Sequence, residues 1–310
     1  MIAQATTPAH GKVGIWLRAM RPFAYTATVM PALVGAAVAA GGQGHLRWEL
    51  LPLVIIALVL LNAGLNLVNE ARDFERHVDR PDSPGPRHVL VDGLLRPRRV
   101  FRAGLVMFAA GSAVGLLLGW LCGQAVLWLG LAGVLAAYFY TGKPIGYKYV
   151  ALGDPVVFVL LGPAVVAGSH LVLAGRVTAE LIYVSLPVGC LAAGILSANN
   201  LRDISYDRRA GVRTVATLIG HRGAKIEYCL LICGAFAAVA ATVAAQVVSP
   251  WALLVLLSIP LGARNVISAA KASPQRPADI AHLDVQTARL HLLFGVLLLV
   301  GLVVRALLRQ

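Results

Sequence analysis

The sequence predicts an all-α, polytopic membrane protein with nine transmembrane helices. Three observations carry that reading. Hydrophobic residues make up 58% of the 310 residues and charged residues only 13%, with a mean hydropathy of +0.77. A soluble domain carries about a quarter charged residues. Apolar runs of about 18 to 23 residues, the length a bilayer demands, recur along the chain, and basic residues gather in alternate loops, the pattern of membrane topology.

The apolar windows fall, in order, at 23–41, 48–69, 100–122, 125–141, 154–174, 178–198, 226–248, 250–268 and 288–308. The first resembles a secretory signal core because Gly41-Gly42 follows it. Its polar lead is long, Pro31 sits mid-run and many spans follow, so it reads as a first transmembrane helix. The chain therefore divides into an N-terminal segment, 1–22, and a single transmembrane domain, 23–310. Long polar connections alternate with very short ones.

Charge orients the helices. Lys12, Arg18 and Arg21 precede the first window. Arg72, Arg76, Arg80, Arg87, Arg96, Arg98 and Arg99 lie between the second and third, and Lys143 and Lys148 between the fourth and fifth. Arg202, Arg208, Arg209, Arg213, Arg222 and Lys225 lie between the sixth and seventh, and Arg264, Lys271, Arg276 and Arg289 lie in or beside the connection from the eighth to the ninth. The opposite side keeps Arg47, Arg176, Arg305 and Arg309. This predicts an integral protein of a bacterial-type inner membrane, with the N-terminus and long loops cytoplasmic and the C-terminus outside. The formal net charge of +13 follows from this loop chemistry, and no separate basic face points to nucleic acid. Cys122, Cys190, Cys229 and Cys233 fall in or beside apolar runs and read as packing residues.

The second window runs into Asn69-Glu-Ala-Arg72-Asp73, with Asp79 beyond. The sixth runs into Asn199-Asn200-Leu-Arg202-Asp203-Ile-Ser-Tyr-Asp207. If the sixth helix continues, Asn199, Asp203 and Asp207 share one face at i, i+4 and i+8. Carboxylates are costly near lipid, so such a group signals function. Both helices run in the same direction, which brings the two Asn-xxx-Asp motifs to one membrane face. The unit of apolar helix, Asn-xxx-Asp and Arg/Gly-rich loop thus occurs twice. Asp73, Asp79, Asp203 and Asp207, with Asn69 and Asn199 as neutral oxygen donors, suit Mg²⁺ bridging to a diphosphate, and nearby cations suit the remaining phosphate charge. Paired with adjacent arginines instead, the same acids would form a solvated loop network.

Between the fourth and fifth windows, Tyr138 to Tyr149 interleaves Lys143 and Lys148 with aromatics, including Tyr147. The loop suits phosphate binding with rings that stack on an acceptor, or equally an interfacial aromatic belt with snorkelling lysines. Asp154 reads either as a residue favoured by a helix N-terminus or as a further acid facing the cavity. His170 and His291 read as packing residues, and His77 and His88 as loop residues. No Walker loop, GxGxxG or zinc spacing is present.

At these residues the chain resembles the UbiA superfamily of intramembrane aromatic prenyltransferases, closest to its MenA-type 1,4-dihydroxy-2-naphthoate polyprenyltransferases. The resemblance rests on Arg21-Pro22, on Asn66-Leu-Val-Asn69 with Asp73-Phe74 and Asp79, and on Gly146-Tyr-Lys-Tyr-Val-Ala-Leu-Gly-Asp154. It extends through Asn199-Asn-Leu-Arg-Asp203 and Asp207-Arg-Arg-Ala-Gly211-Val-Arg213-Thr214 to Gln286–Gly295. Glu70 stands where many members carry a second Asp. The resemblance implies nine helices around a central cavity and Mg²⁺-diphosphate bound by the two motifs, with Asp73, Asp203 and Asp207 at the centre of the chemistry. Arg21, Arg72, Lys143, Tyr147, Lys148, Asp154, Asn200, Arg202 and Arg213 are the expected substrate contacts. It also implies transfer of a polyprenyl group from polyprenyl diphosphate to 1,4-dihydroxy-2-naphthoate with decarboxylation, giving demethylmenaquinone. Other acceptors (4-hydroxybenzoate, homogentisate, a tetrapyrrole) fit the same residues. A transporter of anionic or lipid-phosphate substrates would place its charges near the bilayer midplane, whereas here they collect at one end.

Overall fold

The computed structural model describes residues 11–42, 44–85 and 88–308. Arg87 and Arg309, both counted in the charge distribution, lie outside them. The described residues form helices and connecting turns, with one isolated bridge between Val150 and Arg213. Among the described residues, eight helices are long and apolar enough to cross a membrane, and a ninth, Gln124–Phe139, is apolar but shorter. All nine apolar windows are therefore helical, and the chain is an integral membrane protein.

Helix α1 (Lys12–Met20) lies within the predicted N-terminal segment. It buries Ala19 against Leu67, Ala71 and Val100 and ends at Arg21, whose φ of 51° is left-handed. Helix α2 (Thr26–Ala40) tolerates Pro31 in its first turns. Helices α3 (Leu51–Glu75) and α4 (Pro97–Cys122) pack together, and α5 (Gln124–Phe139) returns from α4 across Gly123. The fifth span is α6 (Gly153–Val159) and α7 (Val165–Ala174), joined by a π-turn over Leu160–Ala164 that contains Pro163. At Gly162 a Cβ would lie 2.7 Å from the Cα of Gly189, so only glycine allows this turn to seat on α8 (Glu180–Arg209). Such π-turns mark functional sites more often than chance.

Two helices extend furthest beyond their apolar windows. Helix α8 continues past the apolar run to Arg209, so its polar motif is helical. Helix α9 (Val215–Ala244) begins well before its apolar window. A reciprocal cap between Thr214 and Thr217 starts it, and Gly220 bends it at φ 72°. The chain closes with α10 (Ile259–Lys271) after a 3-10 stretch Pro250–Ser258, and with α11 (Leu283–Leu307). The largest apolar core joins α2, α8, α9 and α11 through Val34, Val188, Leu191, Tyr228, Leu290 and Phe294, all fully buried. Cys233 is exposed on the outer face of α9, so it is not the packing residue expected.

Candidate active site

Helices α3 and α8 both end at one end of the bundle, and their polar termini wall a cavity of about 280 Å³. Asp73 and Asp79 come to it from the first motif, and Asn199, Asp203 and Asp207 from the second. The helical continuation of α8 thus brings its three motif residues to one chamber. Asn69 lies beside it, on the wall of a second cavity.

Each motif is held by a cation of the protein's own. Lys148 Nζ donates to Asp73 Oδ2 at 2.6 Å and to Asn69 Oδ1 at 3.1 Å, and Tyr149 donates its hydroxyl to Asp73 Oδ1 at 2.8 Å. Burial opposes the charge on Lys148, but the Asp73 carboxylate outweighs it and raises the ammonium pKa. Burial also lifts the hydroxyls of Tyr140, to about 12, and of Tyr149. On the other motif, Arg202 grips Asp203 through Nε at 2.9 Å and Nη2 at 2.7 Å, and reaches Asn199 Oδ1 at 2.6 Å.

A third group closes the mouth. Glu70, 2% exposed, has His88 Nδ1 at 2.8 Å and accepts from Arg21 Nη2 at 3.2 Å and from the Leu90 amide at 3.4 Å. Asp79 Oδ2 is 3.0 Å from His88 Nδ1 yet is buried without a well-formed hydrogen bond, since that nitrogen aligns with Glu70. Burial raises the Asp79 carboxyl to about 6, with His88 opposing and Asp73 reinforcing the shift. Glu70, Asp79 and His88 offer one ligand atom each, all within 4.8 Å of one another. An orphaned buried carboxylate oxygen, amid carboxylate and amide oxygens held mainly by side-chain cations, is a donor set that suits a hard divalent cation.

The second cavity, about 700 Å³, extends into the bundle between α2, α3, α5, the broken α6–α7 span and α8. Arg21, Phe23, Lys148, Asn199 and Asp284 line both cavities. Apolar side chains such as Leu58, Leu61, Leu129, Leu161 and Leu196 cover most of it, with Tyr140 and Tyr147 at its polar end. Those two rings meet edge-on, with centroids 5.5 Å apart.

The model of the UbiA prenyltransferase family matches residues 28–283. The chain belongs to that family. The prenyltransferase is 28% identical to 1,4-dihydroxy-2-naphthoate octaprenyltransferase of Bacillus subtilis (strain 168) over 308 residues, covering 96% of each chain. It is 33% identical to UbiA prenyltransferase domain-containing protein 1 of Danio rerio over 226 residues, covering 72% of this chain and 66% of that one. A UbiA homologue from Archaeoglobus fulgidus bound to DMAPP and Mg²⁺ superposes with a TM-score of 0.59 at 17% identity, over 89% of this chain and 98% of that one.

Several expected contacts of the prenyltransferase fall elsewhere. Arg72 turns away from the chamber, stacking on Phe101 at 4.5 Å and bonding Glu75 at 2.6 Å. Lys143 is exposed and lines neither cavity, so the two lysines of its loop do not share a face. The Arg213 side chain is exposed, and its backbone serves instead, accepting from the Ala151 amide at 2.7 Å. Asp154 faces Asn200, whose Nδ2 lies 3.0 and 3.2 Å from its two oxygens, and lines neither cavity. Arg21, Lys148, Asn200 and Arg202 do line the polar chamber, and Tyr147 the apolar one. Conversely, Glu70, His88, Tyr149 and Asp284 were not expected at the site. Asp284 lies in the first turn of α11, as Asp154 does in α6, but it falls four residues before the ninth apolar window. Tyr149 adjoins Lys148, and His88 left no periodic signal in its loop.

Proposed function

We propose that this prenyltransferase moves a polyprenyl group from polyprenyl diphosphate to 1,4-dihydroxy-2-naphthoate, using Mg²⁺, on the cytoplasmic side of a cell membrane. The observation that carries the reading is the continuity of two unlike cavities through the shared residues Arg21, Phe23, Lys148, Asn199 and Asp284. A diphosphate head suits the charged chamber and an isoprenoid tail suits the apolar one, so the scissile C–O bond would sit at their junction. The Archaeoglobus homologue bound to DMAPP and Mg²⁺ supports the donor class, and the Bacillus relative supports the acceptor.

Asn69, Asp73, Asp79, Asn199, Asp203 and Asp207 would hold Mg²⁺. When bound, the ion neutralises diphosphate charge and eases its departure. Lys148 and Arg202, buried beside those acids, would turn their N–H groups to phosphoryl oxygens, with Arg21 completing the cationic wall. The C–O bond breaks with its electron pair leaving on the diphosphate. The apolar walls would keep water from the allylic cation, while Tyr140 and Tyr147 would supply aromatic rings that suit positive charge. The electron-rich carbon of the acceptor forms the new C–C bond and its carboxylate leaves as CO₂, which gives demethylmenaquinone in its reduced form. The high hydroxyl pKa values of Tyr140 and Tyr149 make neither a base at neutral pH. The deciding experiment gives the purified protein a polyprenyl diphosphate series with a panel of aromatic acceptors and identifies products by mass. Prenylation of 4-hydroxybenzoate or homogentisate in preference to the naphthoate would refute the assigned acceptor.

A further inference from the structure

Arg202 is 5% exposed and uses all five of its N–H donors. Three go to residues of the second Asn-xxx-Asp motif: Nε and Nη2 to Asp203, and Nη2 also to Asn199. The other two leave from Nη1 for α11 and the turn before it, to Asp284 Oδ2 at 3.0 Å and the Ala281 carbonyl at 3.2 Å. Asp284 is itself fixed, since its Oδ1 accepts from the Val285 amide at 2.8 Å in the first turn of α11, where the helix dipole favours a carboxylate. Gly85 closes the remaining side: a Cβ there would lie 2.8 Å from the guanidinium carbon.

These contacts divide the guanidinium into two halves with different fates. A divalent cation drawn to Asn199 and Asp203 would compete with Nε and Nη2 for those oxygens, whereas Nη1 would keep both of its own acceptors. A buried guanidinium with no anchor would follow Asp203 or leave the chamber. Held at Nη1, it can only turn its freed edge toward the space the acids line. We propose that Asp284, which lines both cavities, is a positioning residue that tethers Arg202 on the wall of the polar chamber, so that the donors released by the motif are presented to the diphosphate. The inference rests on the prenyltransferase reading and adds to it a residue from a helix that carries neither motif.

The test exploits a sign. Asp284 is an anion beside a site for an anion, so removing its charge should tighten diphosphate binding unless it works through Arg202. Full-length wild type, Asp284→Asn, Arg202→Gln and the double variant are titrated calorimetrically with inorganic diphosphate in Mg²⁺. KM and kcat for prenyl diphosphate are measured alongside. Asp284→Asn should weaken diphosphate binding about tenfold, the scale of one charge-assisted hydrogen bond, and raise KM more than it lowers kcat. In the Arg202→Gln background it should weaken nothing further. Unchanged or tighter binding in Asp284→Asn, or equal weakening without Arg202, overturns the assignment. If Asp284→Asn does not fold, Asp284→Glu keeps the charge while displacing the anchor and should also weaken binding; unchanged affinity there overturns the proposal. Wild-type protein that binds no diphosphate in Mg²⁺ would refute the prenyltransferase reading with it, whereas failure of the variants alone leaves that reading standing.

Discussion

Lys148 and Asp73 meet at 2.6 Å inside the bundle, 9% and 3% exposed at their side chains. The lysine ammonium sits against the two motif oxygens that a divalent cation would use, so it competes with that cation until the acids are claimed. Removing it should leave a buried carboxylate unpaired, a loss on the order of 3–5 kcal/mol. Metal-free Lys148→Met should therefore melt several degrees below wild type, and divalent cation should restore most of the difference. Turnover should stay at least about 100-fold down, because the phosphate contact is gone. A thermal-shift series with and without Mg²⁺, paired with initial rates, separates the two effects.

Asp73→Asn and Asp203→Asn should each cut turnover by about 1000-fold or more, the scale of losing a central electrostatic element. Membrane insertion and yield should remain unchanged. Chelation of wild type should stop the reaction, and added Mg²⁺ should restore it. Normal rates in either variant would remove the motif from the chemistry.

Asp79 gives a pH signature. Its carboxyl is raised to about 6 from an ordinary 3.8, chiefly by burial, so ionising it costs the folded state. The cost is absent below the unfolded value and complete above the folded one. Asp79→Asn should therefore raise the melting temperature of metal-free protein at pH 8 by a few degrees, with the gain shrinking as pH falls through 6 toward 4. The same variant should bind Mn²⁺ more weakly, as electron paramagnetic resonance of the free ion would register.

Tyr149 and Lys143 make a contrasting pair. Tyr149→Phe removes one hydrogen bond from a buried carboxylate and should lower kcat/KM by about tenfold. Lys143→Ala should stay within about twofold of wild type, since its side chain is exposed and lines neither cavity. Equal effects in the two would mean that this loop adopts another arrangement during turnover.

What could be read from the sequence was whatever follows from period and polarity. All nine apolar runs are helical, and the i, i+4, i+8 spacing placed Asn199, Asp203 and Asp207 on one cavity wall because α8 continues through them. Spacing failed for neighbours in sequence. Arg72 precedes Asp73, but one helical step turns it about 100° away, onto Phe101. Lys143 and Lys148 share a loop, yet only the second folds inward. Arg213 is needed for its backbone, which no residue type announces. Glu70, His88 and Asp284 reach the site from a helix flank, a loop and the final helix. Their meeting depends on tertiary packing, not on local pattern.

Helix α5 has a consequence for the donor. Its sixteen residues rise about 24 Å, short of the roughly 30 Å of hydrocarbon in a bilayer, and it forms one wall of the apolar cavity. On that flank the barrier between cavity and lipid is a single truncated rod. On the proposed reading, an isoprenoid too long for the cavity would trail past its end among the acyl chains, and this flank would set no limit on its length. Tail length would then be decided upstream, by whichever synthase stocks the membrane with its donor.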